Sequence, residues 1–113
     1  MNIQVKSPGI KVDIQLENGV IDKMEWLEKK FPRIDSAIVT FKELMVQKKK
    51  FKVVEVKMNV PGGTIFISER AESFEAAFKR LFDVLLRRLK KEYHKYDHFV
   101  HKLVGKFEKN EIY

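Results

Sequence analysis

No cysteine occurs among the 113 residues. That excludes disulfides, a thiolate nucleophile and cysteine-ligated zinc, and it agrees with a reducing compartment. No apolar run approaches the roughly 20 residues that span a bilayer. The first residues, MNIQVKSPG, lack the apolar core of a secretory signal, so a cytoplasmic protein is expected. The five glycines form no phosphate-cradling loop, and no nucleophile has a neighbouring base. Asp22, Glu25 and Glu28 are read as a solvated helix face rather than an acid–base pair. No enzyme, cofactor or small-molecule substrate is expected. Acids are also in short supply, 16 against 23 Lys and Arg, leaving a net charge of +7. Such an excess favours an acidic partner: nucleic acid, an anionic membrane or an acidic protein.

What is present is organised around Ser73 to Lys95. Phe74, Ala77, Phe78, Leu81, Phe82, Leu85 and Leu89 fall within roughly 120° of helical arc, the width of a core-facing stripe. Lys79, Arg80, Arg87, Lys90, Lys91 and His94 fall on the far side, with Asp83 the only acid among them. From Lys79 to Lys95 there are seven Lys and Arg against two acids. One segment therefore carries most of the net charge. Ser73 is placed to cap the helix N-terminus, and the cations crowd the C-terminal half, as the helix dipole prefers. A helix face opposite a core is usually plain solvated charge. A face so nearly single-signed over about four turns favours phosphate contact instead.

The rest of the chain supplies a platform. Asn2–Lys6 alternates as a short strand, and Ser7-Pro8-Gly9 is a turn. Leu16, Val20, Met24, Leu27 and Phe31 predict a helix from Asp13, its N-cap, to Lys30, closed by Pro32. This helix is nearly neutral, and Trp26 lies off its apolar stripe, as a packed edge residue rather than a base-stacking platform, though stacking would serve RNA binding. Strands are expected at Ile34–Val46, Phe51–Val60 and Thr64–Arg70, joined by a basic turn, Gln47–Lys50, and by Pro61-Gly62-Gly63. Phe41, Phe51, Phe66, Phe74, Phe78 and Phe82 are assigned to the core. The order β-α-β-β-β-α gives an α+β fold, a four-stranded sheet with two helices on one face. The first two strands are parallel through a right-handed crossover, and the last three form an antiparallel meander.

After Lys95, the spacing of Tyr96, Phe99, Val100 and Leu103 continues the helix to about Val104. Residues 1–95 are thus read as the domain and 96–113 as a helical extension or tail. His94, His98 and His101 share one helical face. Histidine is a common surface residue and no carboxylate completes the set, so a metal site is the minor reading, and RNA contact is another. Leu86, Tyr93, Phe99 and Leu103 are a possible contact patch.

Three patches resemble the small ribosome hibernation factors, the hibernation-promoting factor and ribosome-associated inhibitor group also called sigma-54 modulation proteins. They are Lys23-Met24-Glu25-Trp26-Leu27-Glu28-Lys29-Lys30-Phe31-Pro32-Arg33-Ile34, then Val60-Pro61-Gly62-Gly63-Thr64. The third is Ser73-Phe74-Glu75-Ala76-Ala77-Phe78, followed by Leu81, Asp83, Leu85, Arg87, Leu89 and Lys91. The resemblance runs from Asn2 to about Lys95. It implies a fold similar to double-stranded-RNA-binding domains. It also implies binding to the small ribosomal subunit and its 16S-type rRNA, in the channel of mRNA and tRNA, so that translation is blocked by occupancy. The chain ends before the dimerisation domain of longer members would fit, which implies the short form, monomeric off the ribosome.

Under this reading the rRNA-binding residues are Lys79, Arg80, Arg87, Arg88, Lys90 and Lys91, with Lys23, Lys29 and Lys30 secondary. Arg87, Lys91, Lys23 and Lys29 match basic positions of the family. Lys48–Lys50 are candidate auxiliaries. Val84, Glu17, Asp22, Trp26 and Glu75 depart from the family pattern. These departures motivate an alternative, a protein-binding adaptor of the same fold that has lost its rRNA site. Generic double-stranded-RNA binding is the third reading.

Overall fold

Alternation of apolar side chains builds the sheet one row at a time. Ala37, Met58 and Ile65 stand side by side on three strands, as do Val39, Val56 and Ile67. All six are buried. The strands are β1 (Asn2–Lys6), β2 (Ser36–Val46), β3 (Lys49–Val60) and β4 (Gly63–Ala71). They lie in the order β1-β2-β3-β4, with β1 parallel to β2 and the other pairs antiparallel. The computed structural model describes the backbone of residues 2–104 and the side chains of residues 2–92.

Two helices cover one face of this sheet. The helix α1 (Ile14–Lys30) connects the parallel strands, and α2 (Phe74–Val104) follows β4. Both expected caps form. The Gln15 amide donates to Asp13 Oδ1 at 3.2 Å, and the Ala76 amide donates to Ser73 Oγ at 3.1 Å. Each bond satisfies a donor that the helix itself cannot pair. Val20, Met24 and Leu27 of α1 and Phe74, Ala77, Phe78, Leu81, Leu85 and Leu89 of α2 enter the same core. The first of these helices lies over β1 and beside α2, and α2 crosses β3 and β4.

Three expectations are corrected. The basic turn is shorter than Gln47–Lys50: Lys49 and Lys50 already belong to β3, paired with Val46 and Met45. Only Gln47 and Lys48 turn, with φ of 49° and 67°, the type I′ geometry whose twist matches the flanking strands. The second strand starts at Ser36, two residues late, because Ile34 is buried in the approach to the sheet. Phe66 is 57% exposed and Phe51 only half-buried, so neither belongs to the main core. Side chains alternate along a strand. Ile65 and Ile67 take the helix side, which forces Phe66 to the open face.

That open face is polar at one end. Asn59 Nδ2 donates to Ser36 Oγ at 2.8 Å, and Thr64 Oγ1 donates to Asn59 Oδ1 at 3.1 Å. The Pro61–Gly62 turn beside it is tight, with Gly62 at φ 86°, as position i+2 of a type II turn requires.

Candidate nucleic-acid interface

Two sets of cations stand out among the described residues. The first lies on the sheet and is matched to the protein's own carboxylates. Lys42 meets Glu55 at 2.9 Å, Lys49 meets Glu72 at 3.7 Å, and Glu43 sits between Lys50, at 3.6 Å, and Lys52. The hydrogen bond from Lys52, helped by the Lys50 charge, holds the Glu43 carboxyl below its usual range. Lys49 and Lys50, candidate auxiliaries, are therefore partly neutralised within the fold.

The second population lies on α2. Lys79, Arg87, Arg88, Lys90 and Lys91 are exposed, and among the described residues none has a carboxylate partner. Lys79, Arg87, Lys90 and Lys91 spread over about 120° of arc opposite the buried stripe. Arg88 is exposed too, but its helical position falls between Ala77 and Leu81, toward the β4 side, away from the other four. Arg80 is partly committed, since its Nη1 donates to the Arg70 carbonyl at 3.0 Å and ties α2 to β4.

The secondary candidates separate as well. Lys23 Nζ lies 5.3 Å from the centre of the Phe82 ring, and Lys30 Nζ lies 5.6 Å from the centre of Trp26. Both therefore stand on the shoulder of α1 that faces α2, adding to its charge. Lys29 is exposed about 100° away from Lys30 and belongs to the outer flank. Glu25 lies on that outer flank too, so α1, with four acids against three lysines, has no excess of positive charge as a whole yet turns two lysines toward α2. Sequence reading missed the groove this creates. It is lined by Gly19, Asp22, Lys23, Trp26 and Phe82, with a volume near 450 Å³. Trp26 packs on Phe82 at the edge, as expected, but leaves 48% of its surface exposed there; its place off the apolar stripe was the available signal.

The Sigma 54 modulation protein / S30EA ribosomal protein family matches the chain over residues 3–97. The chain belongs to this family. A curated relative, the ribosome hibernation promoting factor of Pseudomonas putida, is 30% identical over 91 residues, covering 80% of this chain and 85% of the relative. Among solved structures, a ribosomal subunit interface protein from Coxiella burnetii superposes with a TM-score of 0.70 at 20% identity, covering 83% of this chain and 99% of that one. The N-terminal domain of Thermus thermophilus Protein Y gives 0.62 at 20% identity, with 80% and 98% covered. Likeness at this identity carries the fold: a sigma-54 modulation domain, β-α-β-β-β-α.

Within that sigma-54 modulation domain, Val84 is half-buried and packs against the core. This departure from the family pattern lies off the arc of Arg87 and Lys91 and leaves that row intact. Leu86 also packs against the core, so it does not form an exposed patch by itself; Tyr93, Phe99 and Leu103 lie outside the residues whose side chains are described. So do His94, His98 and His101. Among the described residues no cluster of His, Asp or Glu is arranged to hold a metal, and no helix is long and apolar enough to cross a membrane.

Proposed function

We propose that this protein is a ribosome-binding translation inhibitor of the hibernation type. It lays the far face of α2 against 16S-type rRNA in the mRNA and tRNA channel of the small subunit, and inhibits by occupying that channel. The observation that supports this most is the row of Lys79, Arg87, Lys90 and Lys91, which has no carboxylate partner among the described residues. Charges that a fold leaves without carboxylates gain most from an external polyanion, because each phosphate contact releases condensed counterions. The names of the similar proteins, hibernation promoting factor and ribosomal subunit interface protein, point the same way.

A-form RNA suits such a surface. Its deep major groove excludes side chains, so a protein meets phosphates and 2′-hydroxyls and follows shape. A plug for a fixed cleft needs no base code, and no catalytic group. Arg80, Arg88, Lys23, Lys29 and Lys30 extend the contact on either side of the row. The protein acts in the cytoplasm, where its ribosomal partner is, and as a monomer before binding.

Co-sedimentation with small subunits at several salt concentrations tests the proposal. Four phosphate contacts give a slope of log affinity against log salt of about −4, or roughly a hundredfold loss between about 50 and 200 mM salt. The double substitution Arg87→Glu, Lys91→Glu should remove the protein from the ribosomal fraction. Protein that stays at the top of the gradient at low salt, or a double variant that sediments as before, contradicts it. Capture dominated by one protein, insensitive to nuclease, would favour the adaptor reading.

A further inference from the structure

The groove between the helices has a chemistry that the cationic face alone does not use. Its floor is a staircase of rings. Trp26 packs against Phe82 with centroids 6.1 Å apart and planes at 46°, and Phe82 packs against Phe78 at 5.9 Å and 47°. Phe78 is buried, Phe82 partly so, and Trp26 leaves about half its surface in water. Two cations hang over the upper rings, Lys23 on Phe82 and Lys30 on Trp26. Among the described residues neither has a carboxylate partner.

One wall is missing by composition. Gly19 lies in mid-helix, where it costs about 1 kcal/mol relative to alanine. A Cβ built there meets nothing within 4 Å, so packing does not demand the glycine. Its effect is to widen the groove beside Trp26. A second depression, near 360 Å³, continues past Gly19 and Lys23 toward Leu16 and Phe78.

From this geometry we propose that the Trp26–Phe82 groove receives one unpaired nucleotide of the bound RNA. The base stacks on the Trp26 indole and its phosphate is met by Lys23 and Lys30. This deepens the ribosome-binding reading and rests on it. Aromatic stacking with flanking cations is the way proteins hold single-stranded RNA, whereas paired bases keep their faces covered within the helix. Asp22 lies on the same rim. Its carboxylate repels a phosphate and accepts from a base N–H, so it orients the base edge toward itself and the phosphate toward the lysines. A volume near 450 Å³ falls within the range of small-ligand sites, about 300–1,000 Å³.

Trp26 is the sole tryptophan, so its fluorescence reports the groove directly. The protein is titrated with a short single-stranded oligoadenylate, with the same strand annealed to oligouridylate, and with small ribosomal subunits. Quenching by the single strand and by the subunits, but not by the duplex, is the expected result. Trp26→Ala should weaken subunit binding about tenfold, within the range for loss of one stacked base, and Trp26→Phe should recover part of it. Gly19→Leu fills the groove at a position with room for a side chain and higher helix propensity, and should weaken binding similarly without lowering the melting temperature. Subunit binding unchanged in Trp26→Ala and Gly19→Leu, while Arg87→Glu, Lys91→Glu abolishes it, overturns the groove and leaves the cationic face standing. Equal quenching by the duplex also overturns it. Failure of the unaltered protein to bind subunits at low salt overturns the ribosomal reading itself, whereas binding kept by every variant overturns both the groove and the cationic face.

Discussion

Lys50 and Arg87 carry the same charge in different circumstances. Lys50 lies 3.6 Å from Glu43, so any RNA contact must compete with a carboxylate already in place. Arg87 has no such rival among the described residues. Substituting Arg87 by alanine should lower the salt slope of subunit binding by about one, and Lys50→Ala should leave it nearly unchanged. A slope that falls equally in both would show that net charge, not placement, governs binding. The Glu43 cluster also makes a prediction about folding. Its carboxyl is held below the usual range by the Lys52 hydrogen bond first and the Lys50 charge after it. A depressed folded-state pKa contributes stability above the unfolded value, about 4.3 for glutamate, and that contribution is lost as pH falls through the folded value. Glu43→Gln should therefore melt slightly below the wild type near neutral pH and level with it in strong acid. A gap that widens in acid contradicts the assignment. The side chain is exposed, so the gap is small.

The β2–β3 hairpin shows strain in an element. Gln47 and Lys48 hold positive φ, where a side chain costs about 1 kcal/mol or more and glycine costs little. Replacing the pair by Asn-Gly, the preferred type I′ dipeptide, should stabilise the protein by about 1 kcal/mol, a rise of about 4 °C in melting temperature. The buried stripe of α2 predicts the opposite sign. Leu85 is fully buried, and Leu85→Ala should cost about 2–5 kcal/mol in urea unfolding. At this scale the sequence was most readable. Both helical stripes follow from periodicity, both caps from residue type, and the strand order from the connections between elements. Phe66 was not readable in the same way. Ile65, Phe66 and Ile67 are consecutive apolar residues, and only the pairing of Ile67 with Val56 decides which of them face the helices. Lys49 and Lys50 read as turn residues because charge suggests a loop, yet a two-residue turn leaves them in the ladder.

Across the whole molecule, the informative quantity is where the +7 charge is left unbalanced. Carboxylates cluster against lysines on the sheet, and the α2 face keeps its charge. This sorting is only half legible in the sequence. The α2 imbalance shows in a simple tally, whereas α1 tallies as one acid in excess. Its Lys23 and Lys30 are told apart from Glu25 only once the position of α2 is known. The groove at Trp26 is likewise a product of two helices, each silent about the other. A molecule cationic on one side should be steered to an RNA cleft in one orientation, with an association rate that falls steeply as salt rises. Chemical footprinting of 16S-type rRNA in small subunits, with and without the protein, tests that orientation most directly. Protections are expected to be confined to the mRNA and tRNA channel, lost with Arg87→Glu, Lys91→Glu and kept with Lys50→Ala. Protections elsewhere on the subunit, or none at low salt under saturating protein, would contradict it.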